Sequence, residues 1–220
     1  MHCGDVAVES PGLSRRPETV PRDDRNATVV WNAMPNLSVV LSYPDPPLTD
    51  GTVLLRRWAK SDIGCVEDAS RDPDIPQGTT VPARFTPAEG LMWIERQWGR
   101  ADNGEGLSLA IADADSGEAL GAVVLLLRRQ PRTAELGYWL IPRARGRGLG
   151  SRAVALLAPW AVIDARLARV EALVVPQNIA SQRVLEKARF RREGLLRSYL
   201  VFDRRRADAF IYSLLPSDLA

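Results

Sequence analysis

The chain is nearly without histidine. Its only one is His2, near the start of a polar segment, and its cysteines number two, Cys3 and Cys65. That scarcity argues against a Ser-His-Asp triad, a Cys-His dyad and a histidine-rich metal site. Two cysteines in no metal-type spacing build neither a disulfide framework nor a thiolate metal site. Lysine is also rare, with Lys60 and Lys187 against 27 arginines. No apolar run approaches the ~18 residues of a membrane span. Residues 1–30 are polar and dotted with proline, unlike the apolar core of a signal peptide. No membrane association is expected, and the expected location is the cytoplasm.

Charge is plentiful but unevenly spread. Residues 1–120 hold 11 Lys and Arg against 19 Asp and Glu, whereas residues 121–220 hold 18 against 8. The basic half would attract a polyanionic ligand. Its arginines are dispersed with few aromatics between them, which is not the footprint of a nucleic-acid surface.

Residues 1–48 carry seven prolines and no lasting helix or strand period. They are expected to form a flexible extension, with Val39–Leu41 able to dock as a short strand. Met34 is a candidate translation start. Residues 49–220 are expected to form one domain. Thr52–Trp58 reads as a strand and Lys60–Ser70 as a short helix capped by Ser61. Thr86-Pro-Ala-Glu89 is a capping box with proline at the first helical position, so a helix should run to about Arg100. Segments 107–113 and 118–127 read as a hairpin turning at Asp115-Ser-Gly117. A strand over Thr133–Ile141 follows, then a helix to about Arg166, a strand at 170–175, a helix at 178–188, and strands near 195–202 and 207–214. Three antiparallel strands, a β-loop-α-β crossover and a closing helix and hairpin predict an α/β (α+β) fold. Its sheet should be mixed, mostly antiparallel and of about seven strands, with helices on both faces.

The most informative segment is Arg145-Gly-Arg-Gly-Leu-Gly150, between the strand ending at Ile141 and the helix opening at Ser151. Its glycines let the backbone turn tightly and bring N–H groups together. The following helix adds its unpaired N–H groups and the positive end of its dipole. Arg143, Arg145 and Arg147 add formal charge. The joint is an anion receptor suited to a pyrophosphate. A P-loop would need a lysine after the glycines, and none is present. A dinucleotide fingerprint would need a third glycine where Ser151 stands. It would also need an acid at the far end of the next strand, whereas Glu171 opens that strand.

Three other residues invite chemistry. Glu135 is a carboxylate in an otherwise apolar strand, on one face with Gly137, Trp139 and Ile141. Gly137 leaves room for a ligand against the backbone. Burial beside apolar surface would raise the Glu135 pKa and make it a base for an ammonium substrate. A strand-end glutamate paired with a nearby arginine is the structural alternative. Asn178 opens a helix and suits an N-cap. Ser181 lies one turn on, on the same face, where a serine is ordinarily just solvated.

Arg145, Gly148 and Gly150 meet the pattern [Q/R]-x-x-G-x-[G/A]. Residues Asn178-Ile-Ala-Ser-Gln-Arg-Val-Leu-Glu-Lys-Ala-Arg-Phe190 meet most of N-x-x-S-x-x-x-L-x-K-x-G-F. With Leu54-Leu-Arg-Arg-Trp58, Asp72-Pro73 and Glu135-Leu-Gly-Tyr-Trp139, these motifs make residues 52–215 resemble the GNAT superfamily of acyl-CoA N-acyltransferases, in its RimJ/RimL-like branch. The resemblance implies a sheet that splays between the strand ending at Ile141 and the strand at 170–175, with a pantetheine arm between them. It implies main-chain contacts to that arm from Leu140 and Ile141. Pyrophosphate would be held by Arg145, Gly146, Arg147, Gly148, Leu149, Gly150 and Ser151. Asn178 would meet the pantetheine or acyl end, Ser181 would be a proton donor near the thioester sulfur, and Glu135 would occupy a general-base position. Two departures stand out. Leu185 occupies the place of a tyrosine acid found in many members, and Arg189 replaces the usual glycine after the helix.

The expected function is therefore acyl transfer from acetyl-CoA, or another acyl-CoA, to a primary amine of a small molecule or a protein N-terminus. Attack would be direct, in a ternary complex, without a metal. A catalytically silent acyl-CoA sensor is the alternative. The expected partners are an amine acceptor and, at most, a second copy of the chain.

Overall fold

The computed structural model describes residues 39–202 and 205–220. The expected extension lies mostly outside the described residues. Where it is described, Val39–Leu41 forms no strand. Leu41 is instead buried in the core, and Val39 and Tyr43 pack against it. The first strand is β1, Leu48–Thr49. It pairs with β2, Val53–Arg56, and makes the sheet eight strands where about seven were expected.

A short 3-10 turn, Lys60–Asp62, leads into α1, Ile63–Ser70. Helix α1 starts after Asp62, not at Ser61, and no side chain caps it; the Asp62 carboxylate instead accepts from the Ala59 amide at 2.8 Å and grips Arg56 through both oxygens. A buried charge needs such partners, and Ser61 offers none. One helical turn, α2, Ile75–Gly78, precedes α3, Pro87–Asp102. Thr86 Oγ1 accepts from the Glu89 amide at 3.1 Å, and Pro87 sits where no N–H is needed.

Next come β3, Gly106–Asp113, β4, Ala119–Leu127, and β5, Thr133–Leu140. They pair antiparallel in sequence order. Nearly every residue of β3 and β4 is buried, because helices cover both faces there; that is why these strands read as apolar runs without alternation. Then follow α4, Leu149–Ile163, β6, Arg169–Val174, α5, Ile179–Lys187, β7, Arg191–Phe202, and β8, Arg205–Leu214. The sheet order is β1-β2-β3-β4-β5-β6-β8-β7. Helix α4 ends three residues before the expected Arg166. It buries Ala153, Val154, Leu157, Ala158, Ala161 and Val162. Each fully buried Leu or Val contributes roughly 1.5–3 kcal/mol.

One pairing decides where a ligand can go. Strands β5 and β6 run parallel only through Thr133↔Arg169, Ala134↔Val170 and Glu135↔Glu171. Beyond Glu135 they separate, and β6 continues with β8 alone. The sheet is splayed, as the resemblance implied.

Candidate active site

The glycine loop follows a 3-10 turn, Pro142–Ala144. Gly146 and Gly148 have φ of 75° and 77°, left-handed values that a side chain would strain. Gly148 is the N-cap of α4, so no side chain caps that helix and its first N–H groups stay open to an anion. Gly150 meets a different demand. A Cβ there would lie 2.9 Å from Tyr138 Cε2, so its absence lets α4 rest against β5.

The loop arginines are less available than the sequence suggests. Arg143 pairs with Asp68 and Glu118. Arg145 pairs with Asp72 at 2.8 Å and gives its Nε–H to the Leu140 carbonyl at 3.0 Å. Among the described ion pairs, only Arg147 of the three has no carboxylate partner. Arg145 is thus a pin between the loop, β5 and the segment before α2. Asp72 is almost wholly buried, at 3% side-chain exposure. Burial alone would raise its pKa, but hydrogen bonds from the Ile75 and Asp74 amides, with Arg145, outweigh it and hold it below the ordinary value. The Asp72-Pro73 motif therefore has a local reason.

The splay opens a cleft of about 540 Å³ through the sheet. The Ile141 amide bonds to the Leu120 carbonyl, which fixes the alternation along β5. Residues 135, 137, 139 and 141 turn their N–H and C=O groups toward β4, and Leu136, Tyr138 and Leu140 turn theirs toward the gap. This corrects the expectation for Ile141. Its amide is committed to Leu120 and its carbonyl accepts from Ala144. Leu140 does face the gap, with its carbonyl already receiving Arg145.

Side chains from both sheet faces meet in the cleft. From the face under α4 and α5 comes Tyr138, whose hydroxyl lies 3.1 Å from Ser181 Oγ. Burial raises the Tyr138 pKa above its ordinary 10, the Ser181 bond opposing it, so the phenol is neutral at physiological pH. Asn178 Oδ1 accepts from the Ser181 amide at 3.0 Å, so Asn178 does cap α5. Asn178, Ser181 and Leu185 all line the cleft. Leu185 offers no acid, but a tyrosine hydroxyl reaches this region from β5 instead.

Glu135, Gly137 and Trp139 line the cleft from the opposite face. The expected apolar surroundings of Glu135 are not what the structure has. Its carboxylate is 24% exposed and ion-paired with Arg128, just across the turn into β5. Trp139 packs with Trp93 and Trp58, ring centroids 4.9–6.2 Å apart. Trp93 donates to Thr80 Oγ1 at 3.2 Å. Gln97 and Arg100 of α3 and Leu200 and Phe202 of β7 complete this wall.

Sequence reasoning missed Tyr138 as a site residue, and missed the α3 and β7 walls altogether. Tyr138 was within a quoted motif, but its link to Ser181 spans 43 residues. The α3 residues carry an ordinary amphipathic pattern and no local sign of a site.

The geometry has a counterpart among known proteins. A family model described as an acetyltransferase (GNAT) domain matches residues 52–191. The chain belongs to the GNAT acetyltransferase family. A relative from Bacillus licheniformis, named an uncharacterized N-acetyltransferase, p20, is 31% identical over 79% of this chain and 91% of its own length. YjcK of Bacillus subtilis (strain 168), named a probable N-acetyltransferase, is 37% identical over 44% of this chain, and that match spans 55% of YjcK. Among solved structures, RimJ of Mycobacterium smegmatis in complex with CoA-disulfide superposes with a TM-score of 0.68 at 25% identity, covering 79% of this chain and 87% of RimJ. The GNAT fold expected from the sequence is thus the fold observed. Among the described residues, no group of three or more His, Cys, Asp or Glu is placed to hold a metal, and no helix is long and apolar enough to cross a membrane.

Proposed function

We propose that this GNAT domain transfers an acetyl group from acetyl-CoA to a primary amine of a small molecule or a protein N-terminus, by direct attack. The observation that carries the reading is the parting of β5 and β6 beyond Glu135. It leaves the main-chain groups of Leu136 and Tyr138, and the Leu140 N–H, open toward a gap beside an uncapped, glycine-opened helix.

In this reading the α4 N-terminus, Gly146 to Ser151, and Arg147 hold the pyrophosphate. The open main chain of β5 orients the pantetheine arm, and one of its N–H groups polarises the thioester carbonyl. Asn178 contacts the pantetheine or acyl end through its amide nitrogen, its oxygen being engaged in the cap. The amine approaches from the Trp139 face and Glu135 takes its proton, directly or through water. As the C–N bond forms and the C–S bond breaks, the Ser181 hydroxyl passes a proton to the departing sulfur and takes one back from water. Tyr138 holds that hydroxyl in place. The cofactor-site fit rests on features of this chain: an uncapped fifteen-residue helix and unpaired strand groups facing the gap.

A catalytically silent acyl-CoA-binding module is the second reading, favoured by the engagement of Glu135 with Arg128. Titration with acetyl-CoA, then thiol release across a panel of amines that includes N-terminal peptides, separates the two. Binding with amine-dependent thiol release supports the enzyme. Binding without it supports the silent module, and no binding removes both.

A further inference from the structure

Arg100 is a half-buried cation without a close counter-ion. Two other half-buried arginines show the usual arrangement. Arg56, 21% exposed, meets Asp62 at 2.8 Å. Arg169, 24% exposed, meets Glu171 at 2.6 Å and Glu193 at 2.5 Å. The Arg100 side chain is buried more deeply than either, at 17%, yet its one carboxylate within 4 Å is Glu105 at 3.9 Å. That distance is beyond hydrogen-bond reach. A buried charge left so poorly compensated costs stability.

The guanidinium is nevertheless held in place. Its Nε–H donates to Gln97 Oε1 at 3.1 Å. Gln97 is 1% exposed, and its Nε2 donates to the Trp93 carbonyl at 2.9 Å. Gln97 therefore fixes one edge of the guanidinium. The N–H groups of both terminal nitrogens have no hydrogen-bond partner among the described residues. Arg100 and Gln97 line the same cleft as Glu135, Tyr138 and Trp139.

Its position says which anion it can meet. The Glu105 carbonyl accepts from the Leu127 amide, and the neighbouring Leu126 lies opposite Glu135 on β5. Arg100 thus belongs to the Glu135 end of the cleft. The glycine loop starts beyond Leu140, which at ~3.3 Å per strand residue is ~17 Å away. A pyrophosphate on α4 does not reach Arg100.

We infer that Arg100 recognises a carboxylate on the acceptor, so that the substrate class is primary amines carrying a carboxylate close to the amine. The inference rests on the acetyl-transfer reading above. A planar two-oxygen anion matches the two terminal nitrogens, whose four N–H groups Gln97 leaves open. Glu135 takes the ammonium end, and Trp93 and Trp139 wall the carbon skeleton between. The carboxylate has two sources: a free amino acid, or an Asp or Glu side chain just after a peptide N-terminus.

The test uses acceptor pairs that differ only in acid against amide: free amino acids with their amides, and N-terminal peptides with Asp or Asn at the second position. Acetyl-CoA binding is first measured alone by calorimetry; its absence removes the acetyl-transfer reading itself. With binding in hand, kcat/KM is compared within each pair. Each pair is also titrated directly against the tryptophan emission, which reports on the cleft without turnover. The acid member is expected to be favoured at least about tenfold, the value of a hydrogen bond to a charged group. Arg100→Gln is expected to bring that ratio close to one. Its melting temperature should change little, because the replaced cation has no close carboxylate and the new amide can still donate to Gln97. Preference among free acids alone identifies a small-molecule acceptor, and preference among peptides alone identifies a side-chain carboxylate. Equal treatment of acid and amide by the native protein overturns the inference. So does a preference that survives in Arg100→Gln, or a marked loss of melting temperature in that variant.

Discussion

The Tyr138 hydroxyl and Ser181 Oγ lie 3.1 Å apart, one on β5 and the other on α5, joined across the gap that the splayed sheet leaves open. The Tyr138 ring also rests on the first turn of α4, where Gly150 leaves room for it. One side chain thereby links the glycine loop to the serine. With its pKa raised by burial, Tyr138 stays neutral and acts as a hydrogen-bonding post.

That link predicts shared effects. Tyr138→Phe is expected to lower kcat about threefold to tenfold, the range of one neutral hydrogen bond. KM for acetyl-CoA should change little. Ser181→Ala should cost less than loss of the base, because water can protonate the sulfur. A double-mutant cycle in kcat should show Tyr138→Phe having little further effect once Ser181 is alanine.

Gly148→Val should weaken acetyl-CoA binding by at least ~tenfold, or ~1.4 kcal/mol, as read by calorimetry. Apart from its immediate chain neighbours, no described residue comes within 4 Å of the position a Cβ would take. A side chain there would project into the open space where the proposed pyrophosphate site lies, and the left-handed φ of 77° adds backbone strain. A melting temperature a few degrees lower is therefore expected with it.

Arg189→Gly should stabilise the protein. Arg189 follows α5 with φ of 66°, and its amide and that of Phe190 close the helix onto Glu186 and Leu185. Relieving that strain contributes about 1 kcal/mol. Thermal melting should shift upward by roughly 2–4 °C for a domain of this size.

Acid should loosen the β6–β8–β7 end of the sheet. Arg169, helped by Ser213, lowers the Glu193 pKa from 4.5 to about 2. Between those values the unfolded chain binds the extra proton, so this contribution is complete above about pH 4.5 and is lost as pH falls toward 2. Denaturant midpoints measured across that window should fall with pH, and less steeply in Glu193→Gln.

Much of the fold could be read locally. Thr86 and Pro87 announced α3, and the glycines between β5 and α4 announced the anion receptor, because caps and tight turns are set by neighbouring residues. The unusual Arg189 stood out only against the family motif, and its φ of 66° shows what the missing glycine costs. What escaped the sequence was pairing at a distance. Arg145 looked like free charge until Asp72 took it, 73 positions away. Ile141 looked available until the parity of β5 committed its amide to Leu120. Glu135 could be read as a base among apolar residues or as a strand glutamate paired with an arginine, and only the structure shows Arg128, seven positions earlier, folded back onto it. Tyr138 and Arg100 join the candidate site only through tertiary packing, which no periodicity reports.

The most direct test is Glu135→Gln, assayed by acetyl-CoA-dependent amine acetylation at pH 7 alongside acetyl-CoA binding. The amide keeps the shape of the carboxylate and leaves the Arg128 guanidinium half-exposed to water, so folding and cofactor affinity should survive. Turnover should fall by ~10²–10⁴, the usual contribution of a general base, with partial recovery at high pH as free amine accumulates. Undiminished turnover at pH 7 would show that Glu135 serves only its ion pair with Arg128 and that the acceptor's proton leaves by another route.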